Sequence, residues 1–349
     1  MAVDAAWLAW SEHFSLKQSS LFELLPSVVL LAVLAIYSRS HADPLFRRLH
    51  EPLMGTLFVI VGFSTLRIFN HLTMGIPFPL ADKKLTYVDD LLGFDWLAYA
   101  TWVAHHPVVK YAFRLAYQGL TLVIVLVFVL VFVEIGSGRA REFCRLVFWS
   151  SLATAIIGAA FPARAAMDWL APPEVRGMFL PTAGTYHLPY LRLIRSTAED
   201  VLDLYDLPGL VVIPSFHTIC GLLIVYACRG HRFIWPIMVL YSAVMIASTP
   251  VMGGHYFIDL IAGTLLTAIA ITADRILSGQ LTFGNPLPLW LKRQLLATFA
   301  ADPRAERGFL QIEIAFDPAP HLVADLASPQ QLMNEQPFLG DQVHPQVGA

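Results

Sequence analysis

Two short stretches of the chain place a histidine beside groups that handle protons or anions. In the first, PSFHT, Ser215 and His217 stand at the start of a long apolar run. Proline is favoured at the first position of a helix and serine at its cap, so a helix is predicted to begin here. Free N–H groups at a helix start attract anions such as phosphate. A capping serine beside an interfacial histidine would give the same pattern without any chemistry.

The second stretch, STPVMGGHYFIDLIAG, places His255 and Asp259 four residues apart, on one helix face. A carboxylate within an apolar span is costly unless it is paired, and His255 is its natural partner. An aspartate on one imidazole nitrogen makes the other more basic, which is how a histidine becomes a nucleophile. A structural His–Asp pair and a shared metal ion are the alternatives. No third strong ligand stands out, so we expect neither a metal nor another cofactor.

The composition indicates what kind of elements must hold these residues. Of the 349 residues, 56% are hydrophobic and 14% are charged, whereas a soluble domain has about 25% charged residues. This shortfall predicts a polytopic membrane protein. The net charge of −3 says nothing about nucleic acid, but no basic stripe is visible, so we expect no nucleic-acid partner.

Seven apolar segments approach the roughly 20 residues that a membrane-spanning helix needs. We therefore predict an all-α transmembrane bundle of six to seven spans, with interfacial helices in its outer loops. No internal repeat is visible, which counts against a transporter. The segments are 21–38, 52–70, 115–134, 145–161, 213–228, 233–249 and 256–276.

Basic residues cluster after the first, third, fifth and seventh segments, which predicts that this side is cytoplasmic. The N-terminus then lies outside and the C-terminus inside. Both histidine motifs fall at the outer boundary, where two helix starts would converge on one pocket. The basic residues are Arg39, Arg47, Arg48, Arg139, Arg141, Arg145, Arg229, Arg232, Arg275, Lys292 and Arg293.

Three regions follow from this pattern. Residues 1–50 are predicted to hold an interfacial segment and an extra transmembrane helix, and 51–279 the catalytic membrane domain. The stretch 280–349 is rich in Pro, Gln and Asp. It is predicted to be a partly disordered cytoplasmic tail in which 287–299 lies on the inner membrane surface.

The two motifs together resemble the type 2 phosphatidic acid phosphatase superfamily. PSxH followed roughly 40 residues later by HxxxD is similar to its second and third signature motifs. Ser248, Thr249, His255 and Asp259 match the spacing of the third motif, S-R-x5-H-x3-D, but threonine replaces arginine. The first motif, K-x6-R-P, is absent in that form.

Both departures resemble the branch that includes inositol-phosphorylceramide synthase. The phrases LGFDWLAYATW, FPARAAM, HLPYLRLIRS and GLVVIPSFHT are similar to bacterial members of that branch. The resemblance covers roughly residues 50–277 and favours a bacterial plasma membrane, with the site on its periplasmic or outer face.

The resemblance implies a role for each motif residue. His255 would attack phosphorus and form a phosphohistidine, and Asp259 would orient its ring. His217 would protonate the leaving oxygen and then activate water or an acceptor alcohol. Ser215 and nearby backbone N–H groups, at Gly254 among others, would hold the phosphoryl oxygens.

Cations for the phosphate must come from elsewhere, because the family is metal-independent and its usual lysine and arginines are missing here. Arg195 is the first candidate, with Arg192 and His187 as lesser ones, in the outer stretch that leads into PSFHT. The planar guanidinium donates two parallel hydrogen bonds to a phosphate. Arg164 ranks below Arg195. An interfacial anchor facing lipid is the alternative for Arg192 and Arg195.

The expected activity is that of a lipid phosphatase or phosphotransferase acting on a phosphate ester or anhydride of an amphiphilic lipid at the outer leaflet. The expected partners are this lipid and the membrane. One alternative is transfer of a phospholipid head group, of the inositol-phosphate type, to ceramide or diacylglycerol. A non-catalytic lipid-binding or transport protein is the alternative from another class.

Overall fold

The computed structural model describes residues 1–278 except 12 and 197–199. The chain divides into two compact units, Met1–Arg275 and Ile276–Ala349. The predicted tail 280–349, with its segment 287–299, lies outside the described residues.

Most of the described chain, 73%, is helical. Two short strands, β1 (Phe14–Leu16) and β2 (Asp200–Leu202), form a two-stranded sheet in this part of the chain. A π-helical turn spans Val131–Ile135. The helices are α1 (Ala2–Trp10), α2 (Gln18–Ser40), α3 (Pro44–Arg48), α4 (His50–Met74), α5 (Asp82–Leu91), α6 (Trp96–His105), α7 (Pro107–Gln118), α8 (Leu120–Leu130), α9 (Ser137–Ala160), α10 (Ala166–Leu170), α11 (Pro173–Arg176), α12 (Leu188–Ile194), α13 (Phe216–Ala227), α14 (Ile234–Met252) and α15 (Phe257–Leu277).

Within the described residues, five helices are long and apolar enough to cross a membrane: α2, the run Phe46–Met74 that contains α4, α9, α14 and α15. The pair Pro107–Gln118 and Leu120–Val133 makes a sixth span if it is counted as one, although it is bent by 51°. The predicted all-α polytopic bundle is confirmed.

The segment predicted to span at 213–228 forms a shorter helix than expected. α13 has 12 residues, or about 18 Å of helix, whereas the apolar core of a bilayer is about 30 Å thick. Ser215 has extended backbone and caps α13, so the helix begins only at Phe216. Most of the α13 side chains are buried against α8, α9 and α14, which makes it a core helix of the bundle.

A second core lies under the short helices between α4 and α7 and between α9 and α13. Tyr256, Trp96 and Met167 are almost fully buried there, together with Val251 near the end of α14. The side chains of α5, α6, α10 and α11 pack around them. These two stretches therefore form a cap on the turn between α14 and α15.

The N-terminal segment is joined to the stretch that precedes α13. β1 and β2 pair in parallel, with Phe14 opposite Asp200. Next to this pair, Nε2 of His13 lies 3.0 Å from the carbonyl oxygen of Ile194. Lys17 forms an ion pair with Asp203. This connection crosses a long sequence separation that apolar periodicity cannot reveal.

Candidate active site

His255 lies in the turn between α14 and α15, and Asp259 lies in the first turn of α15. The two residues are 4% and 0% exposed. Nδ1 of His255 is 2.8 Å from the carbonyl oxygen of Val212 and 3.3 Å from Oδ2 of Asp259. Both partners are acceptors, so Nδ1 carries the hydrogen, and Nε2 of the neutral ring keeps its lone pair.

The two sequence motifs are also bonded to each other through their backbones. The N–H of Ser215 donates to the carbonyl oxygen of Asp259 at 3.0 Å. A little further along α15, Gly263 has no room for a side chain, because an added Cβ would lie 2.7 Å from the carbonyl oxygen of Ser215. α15 therefore crosses the start of α13 in direct backbone contact, which fixes the position of one motif relative to the other.

His217, the second residue of α13, faces His255. The two ring centroids are 6.1 Å apart and the ring planes meet at 63°. Tyr117 stacks on the His217 ring with a centroid distance of 4.3 Å. This stacking holds the imidazole plane, so the two histidines can act on opposite sides of a group bound between them.

The hydroxyl of Ser215 is used for capping. It accepts the N–H of Thr218 at 3.4 Å, and Ser215 is fully buried. This bond accounts for the helix start that the sequence predicted.

α5 supports the site through two carboxylates on one face, seven residues apart. Asp89 accepts the N–H groups of Phe257 and Ile258 at 2.7 and 2.8 Å. Burial raises the pKa of Asp89, and these two hydrogen bonds oppose that rise. Trp96, at the start of α6, donates its indole N–H to the carbonyl oxygen of His255 at 3.1 Å.

Asp82 is the second of these carboxylates and is 1% exposed. It accepts the hydroxyl of Tyr256 at 2.8 Å and the backbone N–H groups of Arg164 and Ala165 at 3.0 and 3.2 Å. It thus binds the loop after α9 to the residue that follows His255.

The start of α15 does not offer N–H groups to an anion. Asp89 holds two of them, and Oδ2 of Asp259 accepts the N–H of Tyr256 at 2.8 Å. The sequence predicted that two helix starts would converge on one pocket, and the start of α15 is already occupied by carboxylates.

Gly254 and Gly184 bring two loops into backbone contact beside His255. Both have positive φ, and a Cβ on Gly254 would collide with the carbonyl oxygen of Gly184. Gly254 also accepts the N–H of Ala166 at 2.7 Å. Ala165, which precedes Ala166, has a φ of 111°, and this conformation costs a residue with a Cβ about 1–3 kcal/mol. Such strain is concentrated at functional sites.

His187 lies behind this loop contact and is 3% exposed. Its Nε2–H donates to the carbonyl oxygen of Arg164 at 3.1 Å. Burial, and to a lesser degree the neighbouring His255, lowers the pKa of His187 to about 4. His187 is therefore neutral near pH 7 and brings no positive charge to a phosphate.

The arginines singled out in the sequence have other contacts. Arg195 donates to the carbonyl oxygen of Phe78. Arg195 stands at the end of α12, roughly 12 Å along the helix from His187 at its start. Arg192 is exposed on α12. The side chain of Arg164 pairs with Asp168. None of these three arginines lines the cavities beside His217 in the described part of the chain.

A cavity of about 310 Å³ lies beside His217, and its lining includes Arg114, Gln118, Thr182 and Tyr186. Nε of Arg114 donates to Oε1 of Gln118 at 3.3 Å. Arg114 thus brings a cation to the lining of the cavity that also contains His217. It does not belong to either of the two sequence motifs.

Three supporting residues, Arg114, Asp82 and Asp89, escaped the sequence analysis, and each left a weak signal. Arg114 is four residues before Gln118 on one face of α7. Asp82 and Asp89 lie two turns apart on the same face of α5. Only the packing shows that these faces turn towards the histidines.

The described residues contain no group of three or more His, Cys, Asp or Glu side chains that could hold a metal ion.

Taken together, the apolar bundle, the buried His–Asp pair and the second histidine at a polar cavity define a membrane protein with an acid–base site at one end. Residues 83–273 match the family model of the PAP2 superfamily, and the chain belongs to this superfamily. It is therefore a multi-pass membrane enzyme of the phosphatase or phosphotransferase type. Comparisons with curated proteins and with solved structures give no significant match.

Proposed function

We propose that the protein transfers a phosphoryl group from a lipid phosphate through a phosphohistidine on His255. The observation that supports this most directly is the pair of acceptors at Nδ1, Val212 carbonyl and Asp259 carboxylate, which leave the Nε2 lone pair free. A neutral imidazole oriented in this way is a nucleophile.

In the first half-reaction, Nε2 of His255 attacks phosphorus and the bond from phosphorus to the lipid oxygen breaks. Protonated His217 gives its proton to that oxygen, which leaves as an alcohol. A phosphate dianion beside His217 favours the protonated ring. Asp259 and the Val212 carbonyl stabilise the positive charge that forms on His255.

In the second half-reaction, neutral His217 takes a proton from water or from an acceptor alcohol, and that oxygen attacks phosphorus. The P–N bond breaks, its electron pair returns to Nε2, and His217 is protonated again. Water gives a phosphatase, and an alcohol gives a phosphotransferase.

We assign the phosphate contact first to Arg114, because it lines the cavity that contains His217. Ser215 and Gly254 are proposed to shape the backbone around the phosphate, and His187 to hold the Arg164 carbonyl. Arg195 and Arg192 are proposed as outer anchors on α12. This division follows their hydrogen bonds and their distances along the helix.

The proposed substrate is a phosphate ester or anhydride of a lipid at the outer face of a bacterial plasma membrane. Head-group transfer to ceramide or diacylglycerol is the second candidate. It is favoured by Thr249, which stands where the third motif has arginine and whose hydroxyl bonds to the carbonyl oxygen of Ile246.

Phosphate release by the purified full-length protein in detergent tests the proposal. The panel contains phosphatidic acid, phosphatidylglycerol phosphate and undecaprenyl pyrophosphate, each with and without EDTA. His255→Ala and His217→Ala are expected to lower turnover at least about 10³-fold, while EDTA leaves it unchanged. Arg114→Gln is expected to raise KM, and Arg192→Gln is the matched control.

Different outcomes separate the candidates. Release that survives in His255→Ala contradicts the phosphohistidine. Transfer of label from a phospholipid to ceramide or diacylglycerol, without release to water, favours head-group transfer. Lipid binding with neither reaction would place the chain among non-catalytic binding proteins.

A further inference from the structure

A second cavity of about 310 Å³ reaches His217 from within the bundle. It lies between α4, α8, α9 and α13, and its wall includes Thr121, Tyr186 and His217, which also line the cavity of Arg114. α4 lies before the residues that match the family, 83–273. One wall of this cavity is thus contributed by a helix outside the family-matched region.

Two buried polar groups in this cavity have no hydrogen-bond partner among the described residues. Asn70, on α4, is 7% exposed; its Oδ1 accepts the N–H of Leu210 at 3.1 Å, and its Nδ2 is unpartnered. Thr154, on α9, is 3% exposed and its Oγ1 is unpartnered. Leaving such groups unsatisfied costs about 1–3 kcal/mol each, so an occupant that bonds to them is favoured.

Thr154 lacks a bond that several helical threonines of the bundle make. A helical threonine can bond to the carbonyl oxygen four residues back, as Thr65 does with Val61 and Thr267 with Gly263. The hydroxyl of Thr154 makes no such bond, and that of Thr218 on α13 is likewise unpartnered. Of these two residues, Thr154 lines the cavity.

The rest of the lining indicates the chemistry of the occupant. Phe63, Leu66 and Ala155 give the cavity an apolar side. Its charged residue is Arg67, whose Nε donates to the carbonyl oxygen of Leu207 at 2.7 Å. An amide N–H, a hydroxyl and apolar walls suit a neutral molecule with a carbonyl, a hydroxyl and hydrocarbon.

We propose that this cavity binds a lipid alcohol that carries an ester or amide carbonyl close to its hydroxyl. Asn70 Nδ2 donates to the carbonyl, and Thr154 bonds to the polar end. The hydroxyl oxygen lies towards His217. His217 gives this oxygen a proton when it leaves phosphorus, or takes the hydroxyl proton when the alcohol is the acceptor. This inference rests on the proposed function, and it assigns the selection of the lipid to α4 and α9.

Kinetics with two substrates test the site in the full-length protein. Dioctanoyl phosphatidic acid releases a lipid alcohol, whereas p-nitrophenyl phosphate does not. Thr154→Val and Asn70→Asp, which keeps the acceptor for Leu210, are expected to raise KM for the lipid about tenfold and to leave p-nitrophenyl phosphate turnover unchanged. Thr267→Val is the matched control, since it removes a buried hydroxyl elsewhere in the bundle. Equal effects on both substrates, or on neither, would overturn the inference.

A binding experiment separates this inference from the proposed function. A photoactivatable diacylglycerol is crosslinked to the protein in detergent, and the labelled peptides are identified by mass spectrometry. Labelling of α4 and α9 that Thr154→Val reduces and Thr267→Val does not would support the site even in a protein without turnover. Labelling confined to other helices would refute it even if phosphate release is normal.

Discussion

The two ends of the bundle use charged residues in different ways. At the end formed by the starts of α4 and α9 and the ends of α13 and α15, which we call the arginine end, carboxylates pair with guanidinium groups. At the histidine end, around the turn between α14 and α15, the three carboxylates next to the histidines bind backbone N–H groups, a hydroxyl and an imidazole. An arginine pair, Arg164–Asp168, lies further out in the cap. The pairs at the arginine end are Arg145–Asp274, Arg229–Glu142 and Arg141–Glu51.

The histidine end depends on Asp259, Asp89 and Asp82, which are all nearly fully buried. Their partners are the His255 ring, the Tyr256 hydroxyl and N–H groups, rather than arginine or lysine, within the described residues. A carboxylate bonded to N–H groups fixes geometry without neutralising a cation. The arginine end therefore joins helices to one another, whereas the carboxylates of the histidine end fix the turn that carries His255.

Among the changes that compare the two ends, Asp259→Asn is expected to have the largest effect. The amide cannot stabilise a positively charged His255, so kcat should fall about 10²-fold or more. The check is kcat together with the amount of phosphohistidine formed from labelled substrate. Asp274→Asn, at the arginine end, is the control. A kcat within twofold of wild type for Asp259→Asn would show that the two ends do not differ in this way.

The pH dependence of stability probes His187, the buried neutral histidine. Because burial lowers its pKa from 6.5 to about 4, only the unfolded chain binds this proton between those pH values. The folded state therefore loses stability as pH falls from 6.5 to 4, on the order of 3 kcal/mol. His187→Gln should remove that loss.

Thermal unfolding in detergent from pH 7 to pH 4 measures this difference. The exposed His105 gives the control His105→Gln, which should keep the wild-type slope. If His187→Gln loses stability as steeply as wild type, the buried ring is not the source.

Asp89→Asn should have an intermediate effect. The amide can accept one N–H from the start of α15 and leaves the other poorly satisfied, which costs about 1–2 kcal/mol. His255 follows the movement of that turn, so kcat should fall about tenfold. The neighbouring exposed Asp90 provides Asp90→Asn, for which stability and kcat should be unchanged. An effect of Asp90→Asn as large as that of Asp89→Asn would contradict the capping role.

The smallest effect is expected at the arginine end. Arg145 and Asp274 are partly exposed, and such pairs contribute about 0–1 kcal/mol. Arg145→Gln should keep kcat within twofold and lower the unfolding temperature only slightly. A tenfold loss of kcat would mean that the arginine end also positions the reactive atoms.

The spans and the motif residues could be predicted because their signals are local. Apolar runs mark the helices, and the spacing of four between His255 and Asp259 places both on one face. The position of His217 near a helix start could likewise be predicted, because the proline and serine of PSFHT mark that start. Periodicity within one segment carries this information.

The supporting residues could not be predicted because their partners are distant in the sequence. Asp89 binds the N–H of a residue 168 positions later, and no local pattern specifies that choice. Arg195 is the first candidate from the sequence because its stretch leads into PSFHT, whereas Arg114 lies about 100 residues before that motif and lines the cavity beside His217. The shorter α13 has a local cause, since Ser215 is a cap and the helix starts after it.

The parallel pair of β1 and β2 bears on how the chain is made. Lys17 and Asp203, which flank the pair, are separated by 186 residues. At the usual pace of a ribosome, roughly 10 to 40 seconds pass between the synthesis of the first strand and that of the second. During this interval α2 can enter the bilayer, but β1 has no strand to pair with. The N-terminal segment thus reaches its final position only after the ribosome has passed residue 202, later than several helices that follow it in the chain.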